Sequence, residues 1–455
     1  MKTLISTITI SVLLSLATLT FAADTVQENN GKILPYPIYQ HKLANGLNVV
    51  SVPFDSPGLV AFHIVTRVGA RNEVEPGVTG FAHFFEHMMF RGTDKYPKEA
   101  YAAALKSTGA AANANTTQDR TNYHMTGNAA KLELMFELEA DRFMNLNYSE
   151  HEFKTEAGAV KGEYTKNFAS PYSQLNEKLA ETAFTTHTYS HTTMGYFADI
   201  VDMPNQYEYS RKFFDRYYRP EYNTLLVVGD VTPEKVNALA GKYFGHWERG
   251  SYESVVPQEP EQTETRYVHL QNGSIPPYLS LSYKGPAFSD TKIDMPALDV
   301  LSAMIFSRTS DLYKKLVISE QKVRSISGGA RDSRDPGLFT IRASLVDKAD
   351  MPYVMKEIEK AVDKLKTEEV DAEKLERTKS NLKYGFAMGI DTPDAIAQSL
   401  SHFIQLTGDP ESINRTYALY DKVSAEDIKQ AARQYFIPEH LTIATISDDE
   451  LGAMK

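Results

Sequence analysis

The feature that most constrains the fold is an internal echo. Tyr217-Tyr218-Arg219-Pro220-Glu221-Tyr222-Asn223-Thr224-Leu225 reappears as Tyr435-Phe436-Ile437-Pro438-Glu439-His440-Leu441-Thr442-Ile443. Each copy follows an amphipathic helical pattern and opens an apolar run. A period of roughly 200 residues excludes a solenoid, whose repeats span about 20–50 residues, and predicts duplicated α+β domains. Residues 36–247 read as one domain and 266–450 as its relative. Residues 248–265 join them as a linker rich in Glu, Pro, Ser and Thr. In the first domain, Asn45-Gly46 marks a hairpin, Gly58 to Gly69 a strand and Gly80 to Arg91 a helix. A strand pair is predicted at Ala111–Thr117 and Thr121–Gly127, and long helices at Ala129–Asn145, Ser149–Phe168 and Pro171–Phe184. After the linker the order recurs as strand, helix, strands and helices.

Composition narrows the chemistry. Hydrophobic residues make up 42% of the 455 positions, enough for full cores. A net charge of −11 argues against binding a nucleic-acid backbone. The absence of cysteine excludes disulfides, a thiol nucleophile, an iron–sulfur cluster and thiolate-held zinc, so any metal must sit on His and carboxylate. Residues 1–22 have the layout of a secretory signal peptide: Lys2, an apolar stretch from Leu4 to Leu19, then Ala22 and Ala23. The stretch is short for a membrane span, which needs about 20 apolar residues. The expectation is a periplasmic or secreted protein with no span in its mature form.

The chemistry concentrates in Gly80-Phe81-Ala82-His83-Phe84-Phe85-Glu86-His87-Met88-Met89-Phe90, an H-x-x-E-H motif. On a helix His83 and His87 share a face and can grip one ion. Glu86 projects to the same side, where it could take a proton from a metal-bound water. Two His and one carboxylate suit zinc and leave a fourth position open. Phe81, Phe84, Phe85, Met88 and Phe90 surround the motif, and burying two imidazoles and a carboxylate there is costly unless they are paired or bound to metal. The third ligand is expected on the helix at Ser149–Phe168. Glu156 and Glu163 lie seven apart on one face there, and helix geometry alone does not choose between them.

This pattern resembles the pitrilysin-type family of inverted-motif zinc peptidases, in the manner of the single-unit, mitochondrial processing peptidase-like bacterial members. The resemblance also takes in Gly69-Ala70-Arg71-Asn72-Glu73, Phe90-Arg91-Gly92-Thr93 and Asn113-Ala114-Asn115-Thr116. It implies Glu163 as the third ligand, 76 residues beyond His87, and Glu156 as the acidic residue that supports the site. One zinc ion per chain follows, with Glu86 as the catalytic base. Asn113, Ala114, Asn115 and Thr116 would lie on the strand that binds substrate. The implied fold is two duplicated domains, each a mostly antiparallel sheet packed with helices, forming half of a clamshell chamber for unfolded peptides. The implied assembly is a dimer.

One segment departs from the family pattern. Complete members carry an Arg and a Tyr seven apart in the second half. Here Val317 and Arg324 fall at those places, which implies a heterodimer whose related subunit supplies the pair. The histidines of His187-Thr188-Tyr189-Ser190-His191 read as structural, and His124 as a neighbour of the zinc site. The competing reading is a non-catalytic peptide-binding or assembly subunit.

Overall fold

The computed structural model describes residues 32–449, so the leader lies outside the described residues. The first sheet comprises β1 (Tyr39–Lys42), β2 (Asn48–Pro53), β3 (Leu59–Thr66), β4 (Ala111–Thr116), β5 (Thr121–Asn128) and β6 (Asn223–Gly229), in the order β1-β2-β6-β3-β5-β4. The second comprises β7 (Arg266–Gln271), β8 (Tyr278–Lys284), β9 (Val323–Ala330), β10 (Leu338–Leu345) and β11 (Leu441–Ser447), in the order β7-β11-β8-β10-β9. Without β1 the two sheets match strand for strand. In each, one parallel pair (β2 with β6, β7 with β11) sits beside three antiparallel pairings. The fold class is therefore the expected duplicated α+β arrangement, and the Tyr217 and Tyr435 echoes lead into the equivalent strands β6 and β11.

Both faces of the first sheet are covered. Phe62, Ile64, Tyr123, Met125, Leu225 and Val227 pack against the helices Phe81–Met88, Leu132–Asn145 and Glu150–Phe168. The alternate residues Val50, Ala61, Val65, Leu226 and Val228 meet Ile396, Ala397, Leu400 and Ile404 of the helix Pro393–Thr407, which belongs to the second half. This double burial is why β3 and β6 read as near-continuous apolar runs rather than alternating ones. The loan is returned. Helix Pro171–Ala183 of the first half lays Leu175 and Leu179 on Ala444 and Ile446 of β11. The lending helices hold equivalent places in the repeat, each following one long helix (Glu150–Phe168 or Ala372–Ala387).

Residues 248–265 carry no helix or strand, as their composition predicts. They are nevertheless strapped down rather than loose. The Glu259 carboxylate accepts the backbone N–H groups of Thr185, Thr186 and His187 at 2.8–3.0 Å. Gln262 is buried and donates to the Leu441 carbonyl at 2.8 Å. A further latch joins the halves at Asp335, which accepts from Arg71 Nε at 2.5 Å and pairs with His187 Nε2 at 2.9 Å.

Candidate metal centre and its edge strand

The H-x-x-E-H segment forms the helix Phe81–Met88. Its N-terminus is capped from outside: the buried Glu73 carboxylate accepts from Gly80 N at 2.8 Å and Ala82 N at 2.7 Å. Burial pushes Glu73 up to about 8, against those two donors. Phe81, Phe84, Phe85 and Met88 are buried and clamp the helix. Phe84 meets Phe153 of the helix Glu150–Phe168 edge-on, with ring centroids 5.0 Å apart. The capping box of Ser149 and Glu152 fixes where that second helix starts. Its register then follows, and Glu156 and Glu163 both reach the motif.

The structure brings His83, His87 and Glu163 together, with one donor atom from each within 4.8 Å of the others. Glu163 Oε2 lies 3.3 Å from His87 Nε2 and 3.8 Å from His83 Nε2. Donors held at about 2.0–2.2 Å around a tetrahedral ion stand roughly 3.4 Å apart, so this donor set fits zinc. Glu156 takes the supporting place. Its Oε1 accepts from His87 Nδ1 at 2.9 Å, and its Oε2 accepts from Arg91 Nε at 2.6 Å. That bond presents the His87 Nε2 lone pair to the cluster. Burial opposes ionisation of Glu156, but bonds from His87 and Arg91 hold it below the ordinary carboxylate range. His83 is pushed down to about 4 by burial, with His87 and Glu163 as smaller influences. A neutral imidazole is the form a metal requires.

Glu86 points the same way and is largely buried. Burial raises its pKa, and the Thr116 hydroxyl donates to its Oε2 at 2.5 Å. Thr116 ends β4, an edge strand of the sheet, whose one strand partner among the described residues is β5. The four residues expected on this strand divide by its period of two. Ala114, paired with Tyr123, and Thr116, paired with Thr121, face the motif helix; Asn113, paired with His124, and Asn115, paired with Asn122, face away. Arg120 Nη2 donates to Asn115 Oδ1 at 3.2 Å.

Some expectations need correction or addition. His124 does not neighbour this centre. It pairs with His63 across β3 and β5, on the sheet face opposite the motif helix, because residues adjacent to Tyr123 and Met125 must point the other way. His187 and His191 are structural: His187 holds Asp335, and the His191 Nδ1 sits 2.9 Å from the Thr192 carbonyl. In the second half, Lys314–Ser319 winds as a π-helix with Val317 against the second core, and Arg324 lies exposed on β9. Sequence reasoning missed Arg91 as the partner of Glu156, although it lies four residues beyond His87. It also missed Glu73 as the cap, which has no local signal because the chain leaves and returns between Glu73 and Gly80.

Comparison with known proteins agrees with the fold. Residues 55–196 match the family "Insulinase (Peptidase family M16)", and residues 206–382 match "Peptidase M16 inactive domain". The chain belongs to the M16 peptidase family. It is 29% identical over 403 residues to the zinc protease PqqE of Helicobacter pylori, covering 87% of this chain and 89% of that one. The crystal structure of a protease from Helicobacter pylori superposes with a TM-score of 0.82 at 28% identity, covering 90% of this chain and 99% of that one. The periplasmic protease PqqL of Escherichia coli shares the fold at a TM-score of 0.75 and 17% identity, with 94% of this chain matching 48% of that one.

Proposed function

We propose that this chain is a zinc-dependent endopeptidase acting on unfolded peptides outside the cytoplasm. The observation that carries the reading is the bond from Thr116 to Glu86. It ties the end of an open sheet edge to a partly buried carboxylate beside a His83–His87–Glu163 cluster. A peptide can add to the free edge of β4 through main-chain hydrogen bonds, which makes binding tolerant of sequence. The small side chains of Ala111, Ala112 and Ala114 let its backbone approach.

His83, His87 and Glu163 would hold the zinc, which when bound supplies a Lewis acid and lowers the pKa of water. Glu156 orients His87 and keeps its Nδ1 proton engaged. Arg91 fixes Glu156. Glu86 accepts a proton from the attacking water at its carboxylate and returns it to the leaving amine, and its burial raises its basicity toward the working pH. Thr116 holds that carboxylate in place between turnovers.

On this reading the assembly is a dimer in which a related subunit contributes an Arg and a Tyr, because Val317 and Arg324 stand where the family pattern has that pair. Export of the mature chain rests on the leader composition. Among the described residues no helix is long and apolar enough to cross a membrane. The test is cleavage of a quenched, unstructured peptide library by the purified mature chain, alone and with a related subunit, beside Glu86→Gln at matched zinc content. Cleavage that requires Glu86 upholds the peptidase reading, and its dependence on the second subunit decides the assembly. A fully zinc-loaded protein that cleaves under neither condition would overturn the reading in favour of a binding or assembly subunit.

A further inference from the structure

The opposite face of the first sheet holds a second cluster, and the two halves of the chain build it jointly. His63 of β3 and His124 of β5 stand directly across from one another, with ring centroids 5.2 Å apart. Asp394, in the first turn of the lent helix Pro393–Thr407, closes the group. One donor atom from each of the three lies within 4.8 Å of the others. We propose that His63, His124 and Asp394 form a second divalent-metal site, for an ion of the zinc class, that staples the first sheet to the helix lent by the second half.

Four observations carry this. His63 is wholly buried, and its Nε2 makes no hydrogen bond of good geometry. That nitrogen faces the Asp394 Oδ1 at 3.5 Å, a weak pairing longer than a normal hydrogen bond. It is, however, close to the separation of roughly 3.4 Å expected of two donors on one tetrahedral ion, and it falls between the two spacings found at the first cluster.

The other ring nitrogen is provided for. His63 Nδ1 lies 3.2 Å from Ser401 Oγ, two turns along the same helix from Asp394, and 3.3 Å from the Asn122 amide. Donation from Nδ1 to the Ser401 hydroxyl, with the Asn122 amide turned so that its unpartnered Oδ1 rather than its Nδ2 faces the ring, leaves the Nε2 lone pair aimed at the cluster, the support that metal-binding histidines ordinarily receive.

Asp394 is likewise positioned. Its Oδ1 accepts from Thr126 Oγ1 at 3.1 Å. Its side chain is 45% exposed, which gives an ion a way in. Two imidazoles and one carboxylate select zinc and its neighbours over magnesium or calcium.

The test uses the full mature chain carrying His87→Ala, which removes a donor from the first cluster. Zinc binding is measured by dialysis and elemental analysis, and cobalt binding by visible absorption. One ion per chain is expected, with the intense bands of a low-symmetry cobalt site and a zinc-dependent rise in melting temperature. Adding Asp394→Asn or His124→Gln, both at partly exposed positions, should lower affinity at least tenfold and abolish the zinc-dependent rise, with the circular dichroism unchanged. No bound ion in the His87→Ala chain overturns the proposal, as does an ion insensitive to both substitutions. The first cluster is judged separately: if it fails to bind, the unsubstituted chain holds one ion that Asp394→Asn removes and His87→Ala does not.

Discussion

On the proposed peptidase reading, two neighbouring glutamates take different parts at the site because their surroundings differ. Glu86 is largely buried and meets one hydroxyl, so its proton is held more tightly. Glu156 is buried too, but an imidazole and a guanidinium keep it ionised. The substitutions should therefore fail differently. Glu86→Gln should retain zinc and lower kcat by about 10²- to 10⁴-fold, the range for loss of a general base. Glu156→Gln should weaken zinc binding by about 10- to 100-fold, read by chelator competition, with kcat recovering at saturating zinc. Equal loss of zinc from both variants would contradict the assignment.

At the scale of elements, the site depends on how two helices lie against each other. The Phe84–Phe153 contact sets the gap across which Glu163 meets the histidines. Phe84→Ala should destabilise the protein by about 3–5 kcal/mol in urea unfolding. It should also weaken zinc binding, although Phe84 touches no ligand atom. The histidine pair was legible because a helix of fixed pitch turns sequence spacing into geometry, which also set Glu156 and Glu163 on one face, but the choice of Glu163 over Glu156 as the third donor came from the family resemblance and not from the pitch. The β4–β5 pair was legible through its alternation. Less could be read where the chain closes on itself at a distance. Glu73 caps a helix it does not belong to, Thr116 reaches Glu86 across a sheet edge, and His124 was placed beside the wrong centre because its face is set by Tyr123 and Met125. The linker's anchoring could not be read because its contacts go to Thr185, His187 and Leu441, which no local pattern reveals.

At the scale of the molecule, the halves are joined by polar ties as well as by exchanged helices. Burial opposes ionisation of Asp335, but His187 and Arg71 hold its carboxyl well below the unfolded value of 3.8. A depressed carboxylate contributes stability that is present above the unfolded pKa and is lost as pH falls through the folded one. Asp335→Asn should therefore cost about 2 kcal/mol near neutral pH, in the range for a lost charged hydrogen bond. The gap between variant and parent should narrow below about pH 4. A constant gap across acid titration of the unfolding curve would contradict this. The exchanged helices carry another consequence, for the order of events during synthesis. When the first half has left the ribosome, Val50, Ala61, Val65, Leu226 and Val228 present an oily surface that has its first-half neighbours Leu34 and Tyr36 but lacks the covering helix. Their cover, from Ile396 to Ile404, is synthesised more than 160 residues after Val228. Until then the nascent chain is sticky, and a holdase or prompt passage through a translocon would have to shield it. A message truncated before Pro393 should yield aggregates rather than a smaller enzyme.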